Sequence, residues 1–346
     1  MTEIRWDALT GRPVVVAEAR AQRPNEYAAG PAVPPAPPDC PFCEGNESTT
    51  PPEVTSVRPP GGTPNGPGWT VRAFANKFPT VAPTSVSVDP GRAPFARSAG
   101  TGAHEVVVLS PAHDRPLAEL TGPHLATVFR VLRDRVAELE RRPGTRSVVM
   151  FENAGPESGG TLWHPHAQLV GLNVEPPHRA EERAAAERFA AAASGACLIE
   201  ATAQAERQDG SRVVAETAEL LAYAPFASPV PYAARLVPAA HAPSFSAASD
   251  AELARVAELL PRLVRALRAQ VPRASYNWTV VSVPGADPTA PSNHWRLDLL
   301  PRLVRPDGFE IASGVAVNPL SPEEAARRYR AAWAAAAEPL PGADKP

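Results

Sequence analysis

Cysteine is scarce in this chain, with three residues among 346, which excludes a disulfide framework. No apolar run approaches the roughly 18–20 residues that a membrane span requires. Neither charge sign dominates: Lys plus Arg number 34 against 37 Asp plus Glu, so no global field recruits nucleic acid or anionic membrane. A second Cys-x-x-Cys is missing, which removes the zinc ribbon of nucleic-acid readers. The opening MTEIRWDALTG has neither the apolar stretch of a signal peptide nor a basic leader. The reading is a cytoplasmic protein without nucleic-acid or membrane partners.

Proline, by contrast, is abundant, with 43 residues used heavily in connections. PAVPPAPP (31–38) and TPPEVTSVRPPGGTPNGPG (50–68) cannot form regular helix or central strand, and they read as long surface loops. Between them lies DCPFCEGN, which places Cys40 and Cys43 three apart. The third cysteine, Cys197 in SGACLIE, stands alone and reads as a small buried apolar residue.

The length suits one large domain or two ordinary ones, and internal similarity favours duplication. HEVVVLSPAHD is an apolar run ending in a Pro-x-His turn, followed by apolar residues Leu125, Val128, Leu132, Val136 and Leu139. Those steps of three and four describe an amphipathic helix. YAARLVPAAHA repeats the order, followed by Leu253, Val256, Leu260, Leu263 and Leu267, with a kink expected at Pro261. SVVMFENAGPESGGTLWHPHAQLVGL and SYNWTVVSVPGADPTAPSNHWRLDLLPRL then share a layout of strand, turn and His-containing strand. The fold class expected is α+β: two tandem units, each an antiparallel sheet with a packed helix, covering residues 1–175 and 176–346 and forming one compact molecule. Laying His164-Pro-His-Ala-Gln168 on His294-Trp-Arg-Leu-Asp298 puts Arg296 where His166 stands. Only the first copy could then use a histidine nucleophile there; the second would be a non-catalytic scaffold or supply part of the pocket.

A Cys-x-x-Cys turn suits zinc, because both sulfurs reach one tetrahedral ion. His113 and His164 belong to the same repeat unit, at the ends of neighbouring elements. Cys40, Cys43, His113 and His164 would close the shell and make the zinc structural; the alternative is a reduced pair without metal. A redox pair is disfavoured, since no helix pattern begins at Cys40.

His164 and His166 alternate with Pro165, so on a strand both project to one face, with Gln168 following. If His164 binds metal, His166 is held rigidly two residues away. A neutral imidazole is a good nucleophile towards phosphorus when a backbone carbonyl keeps its other nitrogen protonated. Gln168 could donate to a phosphoryl oxygen as charge builds. Asn153, the turn Ser158–Gly160 and Thr161 are suited to approach a phosphate. The alternative is that both histidines ligate metal or that one is a hydrogen-bonded core residue.

With RWDALTGRPVVVAEARAQRP, CPFC, WTVRAFANKFPTV, HEVVVLSPAHD, FENAG, HPHAQ and NHWRLDLLPRL in view, the chain resembles the galactose-1-phosphate uridylyltransferase family of the histidine-triad superfamily. The resemblance implies two histidine-triad-like repeats and a double displacement. His166 takes the nucleotide from a nucleoside diphosphate sugar and passes it to a sugar 1-phosphate, with UMP the group expected to move. It further implies that Gln168 binds the phosphoryl group and that Arg20 and Arg23 contact phosphate. Asn76 and Phe78 would line the nucleotide pocket, with Asn153 and Thr161 at its phosphate end. A homodimer with active sites near the subunit interface is implied as well.

Departures from that pattern set further expectations. Some relatives carry a second metal through a His-x-His in the C-terminal repeat; here Arg296, Asp298 and Leu300 follow His294, so that second metal is expected to be absent. GFEIASGVAVNP shows no acidic and glutamine pattern for gripping hexose, which leaves inorganic phosphate as an alternative acceptor, as in ADP-glucose phosphorylase-like enzymes. A zinc-stabilised nucleotide-binding protein that has lost catalysis is the reading from a different class.

Overall fold

The computed structural model describes residues 2–22, 35–83, 88–92, 94–282, 290 and 293–337. In chain order, the first half contains β1 (Thr2–Trp6), β2 (Pro13–Ala17), β3 (Glu53–Val57), β4 (Val71–Ala75), β5 (Gly91–Arg92), β6 (Phe95–Ala96), β7 (Gly102–Val108), α1 (Gly122–Glu140), β8 (Ser147–Ala154) and β9 (His166–Leu172). The second contains α2 (Pro177–Ala192), α3 (Leu198–Asp209), β10 (Val213–Glu216), β11 (Leu220–Tyr223), β12 (Ala234–Pro238), α4 (Asp250–Gln270), β13 (Tyr276–Ser282), β14 (Leu297–Pro301), α5 (Gly308–Ser313), β15 (Ala316–Asn318) and α6 (Pro322–Ala337).

Ten strands form one sheet in the order β10-β11-β12-β14-β13-β8-β9-β7-β4-β3, and every pairing within it is antiparallel. The order reads as two five-strand halves back to back. β13 corresponds to β8, β14 to β9, β12 to β7, β11 to β4 and β10 to β3, and the seam is β8 paired with β13 from Ala154↔Tyr276 to Val148↔Ser282. The duplication inferred from sequence is therefore visible as topology. The N-terminal hairpin β1–β2 pairs with β15 from the far end of the chain, so residues 2–17 sit beside the second half.

Both expected helices form, and every residue of the two stripes is buried. α1 and α4 pack against each other and share one continuous core with the inward faces of both half-sheets. Ser249 and Glu252 close a capping box at the start of α4. That helix runs on through Pro261 rather than ending there. An interior proline costs about 3 kcal/mol. Five buried apolar side chains at about 1.5–3 kcal/mol each outweigh it.

The opposite sheet face is covered at its two ends. Phe42, Trp69 and Phe74 pack over Val106 and Val108 at one end. At the other, α2 and α3 pack over Leu221, Tyr223 and Val237. One expectation needs correction: residues 50–68 are not all loop, because Glu53–Val57 forms β3. The prolines on either side, Pro51, Pro52, Pro59 and Pro60, are tolerated because β3 is an edge strand. Of the other proline-rich stretch, residues 31–34 lie outside the described residues.

Candidate active site and metal centres

The cysteine loop is built to present two sulfurs together. Cys43 N–H donates to the Cys40 carbonyl and Asn46 N–H to the Cys43 carbonyl, making consecutive tight turns. Asn46 Nδ2 donates to the Cys40 carbonyl, and the buried Glu47 accepts from Gly45 N–H and from Trp69 Nε1 at 2.7 Å. Phe42 and Trp69 anchor the loop to the sheet.

His113 and His164 close the set, with the ligating atoms of all four residues within 4.8 Å of one another. Cys43 Sγ lies 3.5 Å from His113 Nδ1 and 3.6 Å from His164 Nδ1, and Cys40 Sγ lies 3.8 Å from His164 Nδ1. A tetrahedral zinc with ordinary Zn–S and Zn–N bonds requires sulfur–nitrogen edges of about 3.6 Å. The donors therefore already have the spacing of an occupied tetrahedron. His164 Nε2 donates to the Ser110 carbonyl at 2.8 Å, which leaves Nδ1 as its ligating atom. Burial, with His113 and His166 as neighbours, lowers the His164 pKa to about 4, so the imidazole is neutral as a ligand must be. Burial beside Cys40 pushes the Cys43 thiol up to about 11, so binding a metal there releases a proton.

His166 begins β9 directly after this pinned residue. Its Nδ1 lies 2.7 Å from the carbonyl of His164, which can only accept; the proton is therefore on Nδ1, and Nε2 carries the free lone pair. Burial lowers its pKa and holds the ring neutral. Phe42 packs on the ring with centroids 5.0 Å apart. Leu109 N–H holds the Pro165 carbonyl, fixing the backbone between the two histidines. Register places His166 opposite Val108 and Gln168 opposite Val106, on the face bearing the cysteine loop.

The turn after β8 approaches from the same end of the sheet. Gly155 and Gly159 both have positive φ (87° and 86°), and a Cβ at Gly155 would stand 2.4 Å from Ser275 Oγ. Asn277 of β13 donates from Nδ2 to Asn153 Oδ1 at 2.7 Å and to the Ser158 carbonyl at 3.0 Å. The second repeat thus braces the turn of the first, and Asn153 keeps its Nδ2 end as donor. Sequence reasoning missed Asn277, although it lies opposite Asn153 across the seam. Thr161 is exposed at the end of the turn.

The remaining expected residues divide. Asn76 Oδ1 accepts from Phe78 N–H at 2.8 Å, a local turn that leaves the Phe78 ring 82% exposed rather than in the core. Arg20 is half-exposed and pairs with Asp307 at 3.4 Å; no bond ties it to the histidine site among the described residues. Arg23 lies outside the described residues.

In the second half, the place of His166 and Gln168 is taken by an ion-pair network. Arg296 pairs with Glu182 and Asp298, and Asp298 also binds Arg235 at 2.6 Å. These groups, with Arg12 and Arg179, line a cavity of about 340 Å³. Behind it stands a second cluster, which revises two sequence expectations. Cys197 is buried as expected, but its Sγ lies 3.6 Å from His294 Nδ1, and His241 and His294 meet with centroids 5.2 Å apart. His113 and His164 meet at the same separation. Cys197, His241 and His294 are spaced to hold a metal ion, with Glu200 Oε1 3.4 Å from His241 Nδ1. Arg296 stands where the His-x-His pattern would place its second histidine, but Cys197 brings a donor from the N-cap of α3 that the His-x-His comparison does not cover. The second half therefore does contain a metal-compatible group.

Three comparisons bear on this arrangement. The family described as galactose-1-phosphate uridyl transferase, N-terminal domain, matches residues 1–176. ADP-glucose phosphorylase of Arabidopsis thaliana is 28% identical over 95% of this chain and 92% of its own. Galactose-1-phosphate uridylyltransferase of Thermotoga maritima is 26% identical over 95% of this chain and 98% of its own. Among solved structures, the Arabidopsis ADP-glucose phosphorylase with bound ADP-glucose superposes with a TM-score of 0.79 at 25% identity, covering 95% of this chain and 98% of that one. A uridylyltransferase structure gives 0.75 at 24% identity, covering 98% and 100%, and shows the shared fold.

Proposed function

Because this chain belongs to the galactose-1-phosphate uridylyltransferase family, we propose that it transfers a nucleoside monophosphate, UMP in the leading reading, through a covalent His166 intermediate. In the first displacement Nε2 of His166 attacks the α-phosphorus of a nucleoside diphosphate sugar. The N–P bond forms as the bond from that phosphorus to the bridging oxygen breaks, and sugar 1-phosphate leaves with that oxygen. The Nδ1 proton stays in place, so the ring becomes cationic, and the His164 carbonyl dipole faces that charge. In the second displacement an oxygen of an incoming sugar 1-phosphate attacks the same phosphorus, the N–P bond breaks, and neutral His166 returns. Gln168 donates to a non-bridging oxygen; Asn153 and Thr161 serve the phosphate end, and Asn76 and Phe78 the nucleotide. Arg20 and Arg23 are assigned to phosphate contacts on the family resemblance.

The observation that carries this reading is the 2.7 Å bond from His166 Nδ1 to the His164 carbonyl, which leaves Nε2 unprotonated on a ring kept neutral by burial. We assign a structural zinc to Cys40, Cys43, His113 and His164, where it would pin the backbone that orients His166. The first repeat, 1–175, would carry the chemistry, with 176–346 as its scaffold. A homodimer is proposed as the assembly, in which a second copy covers exposed apolar side chains such as Trp6, Phe309 and Ile311.

A phosphorylase using inorganic phosphate is the second reading. The acid of GFEIASGVAVNP, Glu310, is engaged at the Asp307 N–H in a capping box, rather than free to grip a hexose. An ADP-glucose phosphorylase is also among the full-length relatives. Intact mass after incubation with UDP-glucose or ADP-glucose, without acceptor, tests the shared chemistry: one nucleotidyl group should add to the chain. No adduct with any nucleotide sugar would sink it. Discharging the adduct with phosphate or with a sugar 1-phosphate then separates the two readings by rate.

A further inference from the structure

His104 is one of the histidines that the metal centres and the His-Pro-His site leave unused. It lies on β7 opposite Val170, one diagonal step from Gln168 on the same sheet face. Its ring is buried, with Nε2 2.8 Å from Gln168 Oε1 and Nδ1 3.1 Å from the backbone nitrogen of Thr80.

The tautomer follows from the partners. The Thr80 N–H can only donate, so Nδ1 must accept and cannot carry a proton. A neutral imidazole has one N–H, which must then be on Nε2, facing Gln168. An imidazolium is excluded by the same Thr80 donor. With Nε2–H donating, the atom of Gln168 facing the ring has to be Oε1, the acceptor, and the NH₂ end of the amide points elsewhere. Asn76 Nδ2 also comes within 3.1 Å of Nε2 and as a donor would favour a bare Nε2, but the Thr80 main-chain N–H already takes the ring's one acceptor nitrogen, Nδ1. Asn76 is held separately, by its own N–H on the His104 carbonyl and by Phe78 N–H on its Oδ1.

The two flips of an isolated Gln168 amide are nearly equal in shape and opposite in chemistry. One offers a phosphoryl oxygen two N–H donors; the other offers it a repelling carbonyl. We propose that His104 is a positioning residue which, through Nε2–H on Gln168 Oε1, holds the Gln168 amide with its donors available to the phosphoryl group at His166. The chain Thr80–His104–Gln168 thus carries a fixed backbone polarity through a ring to the site. This rests on the nucleotidyl-transfer reading above.

The test is single-turnover formation of the nucleotidyl-enzyme. His104→Ala should slow it by about 10–100-fold, no more than the loss from removing one oxyanion donor outright because Gln168 itself remains, with little change in the nucleotide-sugar concentration for half-maximal rate. His104→Gln can place an amide N–H where Nε2–H was and should recover much of that rate. His104→Glu offers an acceptor there, favours the wrong flip and should be slower than His104→Ala. In a Gln168→Ala background, His104→Ala should cost nothing further. Equal losses in both backgrounds, or His104→Gln as slow as His104→Ala, would overturn the proposal while the wild-type adduct still upheld the reaction. Should the variants fail to fold, ¹⁵N NMR of the wild-type ring decides: Nε2–H is expected, and Nδ1–H overturns the assignment. A wild type that forms no adduct would instead overturn the reading beneath it.

Discussion

The carbonyl of His164 accepts the Nδ1 proton of His166 at 2.7 Å, while the ring of His164 turns its own Nδ1 towards Cys40 and Cys43. One residue therefore does two things: its side chain completes a metal-compatible tetrahedron, and its main chain sets the tautomer of the residue two places on. Because the carbonyl is fixed by the same backbone that the side chain anchors, the geometry of the Cys40–Cys43–His113–His164 group and the orientation of the His166 ring are coupled through covalent bonds.

That coupling gives different consequences for changes at the two histidines of the first repeat. His166→Ala removes the nitrogen proposed to attack and should lower turnover by on the order of 10⁴-fold or more, with metal content unchanged from wild type. His113→Ala removes one of the four metal-compatible donors and leaves Nε2 of His166 in place. It should lower metal content and melting temperature far more than His166→Ala does, and should retain measurable adduct formation. Equal residual activity in the two variants would contradict this division.

The second cluster makes a claim about stoichiometry. Cys197, His241 and His294 reproduce the ring geometry of the first site, with Glu200 nearby as a further oxygen donor. Cys197→Ala should therefore cost about one metal equivalent per chain while the Cys40–Cys43 site keeps its own. Elemental analysis of purified wild type, Cys197→Ala and Cys40→Ala reads this directly. Metal content unchanged by Cys197→Ala would show that the three residues are a reduced, hydrogen-bonded cluster.

What the sequence made legible were features written locally or repeated at a fixed offset. The stripes of α1 and α4 follow from three- and four-residue steps, and two matching antiparallel half-sheets follow from the duplication, whereas their joining into one ten-strand sheet at the β8–β13 seam does not. The first metal set could be read because Cys-x-x-Cys announces itself and His113 and His164 end neighbouring elements. What stayed hidden depends on cross-strand or cross-repeat placement. His104 reaches Gln168 along a diagonal across two strands, and Asn277 reaches Asn153 only through the seam. Cys197 sits on a helix end 97 residues from His294, with no second cysteine to mark it. Arg296 read as a missing histidine; its partner Glu182 comes from α2, which no motif singled out.

Glu152 offers a test away from either metal group. It is buried beneath the helices and accepts from Trp278 Nε1 at 2.6 Å, and the charge of Arg268 favours its ionised form. Burial raises its pKa from 4.5 to about 7. Between those values the folded chain holds a proton that the unfolded chain has released, so this group's contribution to stability falls as pH rises. It is fully present below about pH 4.5 and lost once pH passes 7. Buried histidines with lowered pKa pull the other way, so the wild-type profile alone does not isolate it. Glu152→Gln keeps an acceptor for Trp278 and removes the titration. Relative to wild type, it should gain about 2–3 kcal/mol between pH 5 and pH 8 in urea unfolding. A variant-minus-wild-type difference that is the same at both pH values would mean that Glu152 does not change protonation in this range.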